Sequence, residues 1–231
     1  MKYLLIIFTV LFCAPMVIAQ KDMDNKRVVD SLYREDQFYL GITYNLLSKK
    51  PSGVSQNEFS SGLHFGVIRD IPINKDRNKA IGVGLGLSFN AYNQNLLISE
   101  DNNVTTFSVL NSDDVEYSKN KFYTYIVEMP IQFRWRTSSA SEYSFWRIYT
   151  GFKAGYVFSN GTKFLGNPSD VKLTNSDAFN KLQYGLTFSA GYNTWNFYLY
   201  YGLNDMFENA EISGEGLDMS AIKVGLMFYI L

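Results

Sequence analysis

Residues 121–136 read K-F-Y-T-Y-I-V-E-M-P-I-Q-F-R-W-R, with apolar side chains at alternate positions. From Tyr123 to Trp135 every second residue is apolar or aromatic, whereas the set from Phe122 to Arg134 is mostly polar and includes charges. A period of two indicates a β-strand. The stretch is longer than the roughly 5–6 residues usual for a strand in a soluble sheet, and aromatic residues lie towards both of its ends. This combination is typical of a transmembrane β-strand.

Seven other segments of the chain alternate in the same way. The eight predicted strands are about residues 37–46, 59–68, 80–90, 121–136, 143–158, 181–192, 195–204 and 220–231. The outward-facing positions assigned in these strands, which begin at Tyr123 in the fourth, carry no charge. The opposite face is polar and rich in glycine, as the crowded interior of a small barrel requires. In a soluble sandwich the exposed face would instead be polar and charged. The sequence therefore predicts an all-β fold, an eight-stranded antiparallel up-and-down transmembrane β-barrel over residues 37–231.

Residues 1–19 have the features of a signal peptide. Lys2 supplies the positive start, residues 4–12 the apolar run, and Val17-Ile18-Ala19 the cleavage site. A lipoprotein signal through Cys13 is the alternative, but a large residue precedes that cysteine where such signals need a small one. No later run reaches the roughly 18 apolar residues that a membrane helix needs. An exported chain of this kind can therefore cross a membrane only as a closed barrel.

The connectors between the predicted strands alternate in length. The long ones are about residues 47–58, 91–120, 159–180 and 205–219, and the short ones about 69–79, 136–142 and 193–194. Outer-membrane barrels have long extracellular loops and short periplasmic turns. We therefore expect an outer-membrane protein whose N- and C-termini are both periplasmic. The polar residues 20–36 form its predicted periplasmic N-terminal segment.

The overall charge limits the partners of the chain. A formal net charge of −1 over 231 residues excludes a strongly basic nucleic-acid binder. For a protein of the predicted location, the expected partners are outer-membrane lipids and lipopolysaccharide, together with the barrel-assembly machinery during insertion.

The charged residues on the inward-facing positions predict a polar network in the barrel lumen. Together with His64 they are Glu128, Arg134, Arg147, Lys153, Lys181 and Lys223. Eight strands leave an interior just wide enough for side chains to fill, which argues against a wide pore. Charges in membrane proteins persist where they pair inside a polar interior, so Glu128 is the expected acceptor for a neighbouring base. Because bases outnumber acids at the inward-facing positions, a narrow anion path stays open as an alternative.

Pro130 has no N–H to donate to the hydrogen-bond ladder of the sheet, and we expect it to mark a bulge beside Glu128.

His64 is the only histidine, and it raises the question of catalysis. Ser60 shares its face but lies four residues away, about 13 Å along a strand. That distance exceeds the reach of a base to its nucleophile, although a partner on another strand stays open. Acidic residues in the long connectors lack the spacing of a known calcium loop. The sequence therefore predicts no enzyme, no cofactor and no metal site.

The tryptophans predict the position of the membrane. All three, Trp135, Trp146 and Trp195, take the outward parity beside predicted short turns. We expect them to form one girdle at the periplasmic interface, where amphipathic rings lie at headgroup level. The opposite girdle is expected to consist of Tyr123, Tyr125, Tyr156 and Phe158.

Three segments carry a resemblance to a known family. Residues 125–134, Y-I-V-E-M-P-I-Q-F-R, resemble the Y-L-E-I-P-L-x-x-K-Y signature of the PorT-like, porin-like outer-membrane β-barrel family of Bacteroidota. Residues 151–156 and 201–205, G-F-K-A-G-Y and Y-G-L-N-D, resemble two other strands of that family. The likeness covers about residues 37–231. It implies the barrel fold, and the family takes its name from a component implicated in type IX protein secretion and gliding.

Together these features predict a non-enzymatic outer-membrane barrel that presents surface loops and has a structural or interaction role in the cell envelope. The alternative is a component of type IX secretion or a narrow solute channel. A lipid-modifying outer-membrane enzyme is the least favoured hypothesis.

Overall fold

The computed structural model describes residues 36–56, 58–101, 104–111, 115–137, 145–167, 169–208, 210–212 and 214–230. The strands are β1 Gln37–Ser48, β2 Ser61–Pro72, β3 Lys79–Asn93, β4 Leu96–Asp101, β5 Val104–Val109, β6 Tyr117–Arg136, β7 Trp146–Gly166, β8 Val171–Thr174, β9 Leu182–Tyr192, β10 Trp195–Gly202, β11 Glu211–Ile212, β12 Glu215–Gly216 and β13 Ser220–Ile230. Within these ranges, no helix is long and apolar enough to cross a membrane. The signal peptide and the periplasmic segment predicted for residues 1–35 lie outside the described residues.

Eight long strands close into a barrel. Their order is β6-β3-β2-β1-β13-β10-β9-β7, and β6 pairs with β7 to complete the circle. Every pairing is antiparallel, and β1 joins β13 from Phe38 with Ile230 to Ser48 with Ser220. Each strand therefore lies beside its neighbours along the chain. This confirms the predicted fold class, an eight-stranded antiparallel up-and-down barrel.

Side chains that alternate in the sequence lie alternately in the barrel interior and on its outer surface. In β1 every second side chain from Gln37 is buried, while the intervening Phe38 and Ile42 are 64% and 54% exposed. The same pattern continues around the barrel, where Leu85 is 59% and Leu186 52% exposed. Soluble monomers rarely expose contiguous apolar patches larger than a few hundred Å². An apolar belt around a whole barrel instead suits lipid.

β6 and β7 extend beyond the predicted strands at one end of the barrel. Residues 117–120 and 159–166, expected in connectors, continue both strands, and β8 pairs with this part of β7. The register between β6 and β7 shifts where Tyr125 and Ile126 face Ser159 and Val157. That shift is a β-bulge, which adds twist where the pair leaves the barrel wall.

The bulge expected beside Glu128 is absent, and that prediction was wrong. On β3, Val83 pairs with Ile131 and Gly86 with Glu128, so the register is the same on both sides of Pro130. The pairs in between are missing from the ladder because proline has no N–H to donate. The absence of a side chain at Gly84 leaves space for the Pro130 ring, since a Cβ there would lie 3.1 Å from the Pro130 Cγ. The sheet therefore accepts Pro130 through a local gap rather than an extra residue.

Candidate functional site

The centre of the barrel holds a buried ionic network. The Lys153 Nζ donates a hydrogen bond to Glu128 Oε2 at 2.8 Å, and the His64 Nδ1 lies 3.2 Å from Glu128 Oε1. The three side chains are at most 6% exposed. β2, β6 and β7 each supply one of them from their inward-facing positions. The carboxylate of Glu128 thus joins the neighbouring strand β7 to β2, which is separated from β6 by β3.

The other ring nitrogen of His64 extends this network to β1. Its Nε2 lies 3.2 Å from Thr43 Oγ1, which in turn lies 2.8 Å from Asn45 Oδ1. The order hydroxyl, imidazole, carboxylate is that of a nucleophile, its base and the group that orients the base. However, Thr43 is 1% and His64 0% exposed, so no substrate reaches the hydroxyl in this structure. The arrangement supports a packing network rather than an active site.

A second ionic cluster fills the end of the barrel where β2, β3, β6 and β7 are joined by short connectors. Asp70 accepts hydrogen bonds from Arg134 Nη1 at 2.8 Å and from Arg136 Nη2 at 2.6 Å. Arg136 also donates to the Arg77 carbonyl at 2.9 Å, and Arg134 donates to the Gln37 side-chain carbonyl. The Asp70, Arg134 and Arg136 side chains are completely buried. One carboxylate therefore holds two guanidinium groups across this end of the barrel.

Two other predicted lumen cations lie against aromatic rings. The Arg147 guanidinium is 4.5 Å from the Phe145 ring, and the Lys223 Nζ is 5.1 Å from the Tyr200 ring. Arg147 and Lys223 are 2% and 3% exposed. Ring faces attract cations electrostatically, and more strongly where water is excluded.

The prediction for Lys181 was wrong. Its side chain is 60% exposed and its Nζ lies 3.4 Å from Asp177 Oδ1. β9 begins only at Leu182, so Lys181 belongs to the preceding loop rather than to the lumen. A charged residue at a strand end takes this position because the loop offers it water and a carboxylate partner.

Sequence reasoning missed Asp70, Arg136, Gln37 and Thr43. Asp70 falls in the predicted connector 69–79 and Arg136 at the end of the predicted strand 121–136. Both continue the parity of inward-facing neighbours, His64 and Arg134. Extending the second predicted strand by two residues would have placed Asp70 in the lumen, and Arg136 already has the inward parity of the fourth predicted strand. The Thr43 contact depends on the pairing of β1 with β2, which sets Gly41 opposite His64.

Aromatic residues form two bands on the outer surface. Trp146 and Trp195 both pair with Tyr192 and are 59% and 63% exposed. Trp135, opposite Ile148, lies at the same end of the barrel. Towards the other end are Tyr123, Tyr125, Tyr156 and Phe158, with the Tyr125 and Phe158 ring centres 6.2 Å apart.

Comparison with known families identifies the type of barrel. Residues 18–208 match the family model described as outer membrane protein beta-barrel domain. The chain belongs to this outer-membrane β-barrel family. A crystal structure of Ail, the attachment invasion locus protein of Yersinia pestis, is similar over 86% of this chain and 99% of that chain, with 15% identity and a TM-score of 0.38. No curated protein sequence matches the chain significantly.

Loops of this outer-membrane barrel pack together over the end opposite the tryptophans. The Phe207 ring lies 4.9 Å from Phe179, 5.5 Å from Phe122 and 5.5 Å from Phe107. These phenylalanines come from β6 and from three different connectors or hairpins. We call this aromatic cluster and the loops that build it the loop cap. The cap was not predicted, because the long connectors show no apolar period.

Hydrogen bonds also tie the loops of the outer-membrane barrel to one another. The Asn95 N–H donates to the Ser55 carbonyl at 3.0 Å, and the Asn95 side chain donates to the Gly53 carbonyl at 2.9 Å. The Glu208 N–H donates to the Ala178 carbonyl at 2.8 Å. The connector after β1 is thereby fixed to Asn95, which directly precedes the β4–β5 hairpin, and the connector after β8 is fixed to the one after β10. Among the described residues, no group of His, Cys, Asp and Glu could hold a metal ion.

Proposed function

We propose that this outer-membrane barrel is a non-enzymatic anchor that holds the loop cap at the cell surface, for a structural or interaction role in the envelope. The observation that carries the proposal is the filled and locked interior beneath a packed cap. Glu128 with Lys153 occupies the centre, Asp70 with its two arginines occupies one end, and Phe207 with its neighbours covers the other. A molecule built this way offers a fixed surface rather than a passage.

The orientation of the barrel is part of the proposal. Trp135 and Tyr125 are ten residues apart on β6, which is about 33 Å along a strand. At a tilt of roughly 40° this corresponds to about 25 Å along the barrel axis. The apolar band of outer-membrane barrels has about this height. The two aromatic bands therefore fit the two membrane interfaces, with the loop cap outside and both termini in the periplasm.

Cysteine labelling on whole cells tests the orientation. The side chain of Asp177 in the capped half is 94% exposed, and Asp76 in the β2–β3 turn is exposed at the other end. We expect a membrane-impermeant maleimide to label Asp177→Cys on intact cells and Asp76→Cys only after lysis. The reverse pattern would overturn the proposed orientation.

Conductance measurements test the anchor against the channel. The purified protein in planar bilayers is expected to give no stable current steps, because the ionic clusters and the cap obstruct the lumen at three levels. A variant in which residues 96–109 are replaced by a short turn removes the β4–β5 hairpin from the cap and serves as the control for cap closure. Stable unitary conductance of the unaltered protein would support a narrow solute channel instead.

The resemblance of β6 to the PorT-like strand favours a second proposal, participation in type IX protein secretion. The supporting observation is the E-x-P pattern of Glu128 and Pro130, whose side chains shape the lumen and the β3–β6 ladder. Deletion of the gene would then deplete secreted proteins at the cell surface. An unchanged surface proteome would leave the anchor proposal as the better one.

A further inference from the structure

Three lysines stand in one row on the outer surface of the barrel. Lys121 of β6 pairs with Lys163 of β7, and Lys163 pairs with Lys172 of β8. Residues directly paired in a sheet point to the same side, so the three side chains are neighbours. Lys172 is exposed and the other two are half-buried. We call Lys121, Lys163 and Lys172 the lysine row.

Such a row is unfavourable by itself. Directly opposed residues on antiparallel strands have Cα atoms about 4.5–5.5 Å apart, and like charges at that spacing destabilise a sheet. No carboxylate of the described residues lies within ion-pairing distance of any of the three lysines. The sheet thus holds three adjacent positive charges, and no Asp or Glu among the described residues forms an ion pair with them.

A groove of about 590 Å³ adjoins the lysine row on the same outer surface. Its apolar part is lined by Ile42, Leu63, Phe89, Tyr123 and Tyr125, and its polar part includes the three lysines. The groove is thus amphipathic along the barrel axis, with cations at one end and aromatic and aliphatic side chains towards the membrane.

Gly161 makes room for the Tyr123 ring that lines the groove. A Cβ at Gly161 would overlap the Tyr123 Oη. Gly161 is the direct partner of Tyr123 on β7, so its missing side chain lets the Tyr123 ring lie against the sheet. Tyr123 follows Lys121 by two residues on β6, about 7 Å along the strand.

We propose that this groove binds a phosphorylated glycolipid of the outer leaflet, with phosphate groups on the lysine row and an acyl chain on the apolar part. A multiply phosphorylated headgroup supplies the negative charge that the described acids do not, and ammonium–phosphate hydrogen bonds are of the strong, charge-assisted kind. Lysine stems reach from the apolar boundary to headgroup level, which is where Tyr123 and Tyr125 lie in the proposed orientation. The assignment to the outer leaflet rests on the proposed function.

Binding of lipid A to the purified full-length protein in neutral-lipid nanodiscs tests the proposal. The variant changes Lys121→Gln, Lys163→Gln and Lys172→Gln together. We expect its Kd for diphosphorylated lipid A to rise at least about tenfold, since each lysine near an anionic surface strengthens binding by roughly severalfold in general. Lipid A stripped of its phosphates should bind the unaltered protein as weakly as intact lipid A binds the variant.

A matched variant controls for net charge. Lys50, Lys75 and Lys79 are exposed and lie away from the groove, and their joint change to Gln should leave the Kd within about twofold. Equal affinity of the lysine-row variant and the unaltered protein, or indifference to the lipid phosphates, would overturn the proposal. Saturable binding of inorganic phosphate to the same three lysines would overturn the lipid assignment.

The labelling of Asp177→Cys and Asp76→Cys separates this inference from the proposed function. If lipid A binds through the lysine row but the orientation is reversed, the binding site stands and the proposed orientation fails. If the orientation holds and the lysine-row variant binds lipid A normally, the site fails alone.

Discussion

Glu128 and Lys153 form a diagonal pair between neighbouring strands, with the Lys153 Nζ 2.8 Å from Glu128 Oε2. The direct partner of Lys153 is Pro130, and that of Glu128 is Gly155. Because glycine has no side chain, the lysine can turn along the strand towards the carboxylate. Diagonal neighbours in a sheet are within reach of long side chains. The pair is therefore a product of register as much as of charge.

The first prediction concerns the loss of this carboxylate. Glu128→Gln leaves Lys153 buried without its counter-charge, and breaking a buried pair on one side typically costs 3–5 kcal/mol. Glu116→Gln, at an exposed position, is the matched control, since surface ion pairs contribute roughly 0–1 kcal/mol. Urea unfolding in liposomes should show a clearly lower midpoint for the first variant. Equal midpoints for the two variants would contradict a stabilising network.

The second prediction separates packing from catalysis in the Thr43–His64–Glu128 arrangement. Thr43→Val keeps the shape of the side chain and removes the hydroxyl, and His64→Ala removes the imidazole. Because the hydroxyl is buried, we expect both variants to leave the lipid A mass spectrum of the cells unchanged. His64→Ala should lower stability, since it opens a cavity and takes one partner from Glu128. A changed lipid A mass in Thr43→Val cells would instead favour a lipid-modifying enzyme.

Much of the barrel wall could be predicted from the sequence. One face of each strand is apolar and the other polar, so the strands appear in the sequence as apolar residues at every second position. Extending the period two residues beyond Ile68 would also have found Asp70, and Arg136 already continues the inward parity of the predicted fourth strand. The Thr43–His64 contact could not be predicted, since strand register depends on pairing that alternation alone does not fix. The loop cap was missed for a different reason: Phe107, Phe179 and Phe207 are isolated in polar connectors, and only the folded loops bring them together.

The third prediction concerns the loop cap. Phe207 is 4% exposed, and Phe→Ala changes at buried positions typically cost 3–5 kcal/mol. Because the loops lie outside the barrel wall, Phe207→Ala should open the cap and leave the barrel intact. Limited proteolysis should cut the outer loops faster, while the heat-modifiable gel mobility of the barrel stays the same.

Val104→Ala is the control for the cap, since this β5 side chain is 62% exposed. Its loops should resist protease as in the unaltered protein. If Phe207→Ala also abolishes heat-modifiable mobility, the cap and the barrel fold as one unit and the prediction of local opening is wrong.

The last prediction tests where the membrane lies. Trp135, Trp146 and Trp195 lie at one end of the barrel on its outer surface, and indole rings favour the headgroup region. In bilayers with quenchers at graded depths, all three should be quenched best by the shallow ones. Depth alone does not identify the leaflet, so proteoliposomes of uniform orientation are needed. An aqueous quencher added on the side of the loop cap should leave the fluorescence nearly unchanged.

A variant with one tryptophan at the opposite rim supplies the comparison. Changing the three native tryptophans to Phe and Tyr123→Trp places a single indole in the other aromatic band, two residues from the lysine row on β6. Its fluorescence should fall when the same aqueous quencher is added on the cap side. Equal accessibility of the native tryptophans and of the new one from that side would mean that the two aromatic bands do not lie at opposite interfaces. The apolar belt between them would then not be the membrane-spanning part of the barrel.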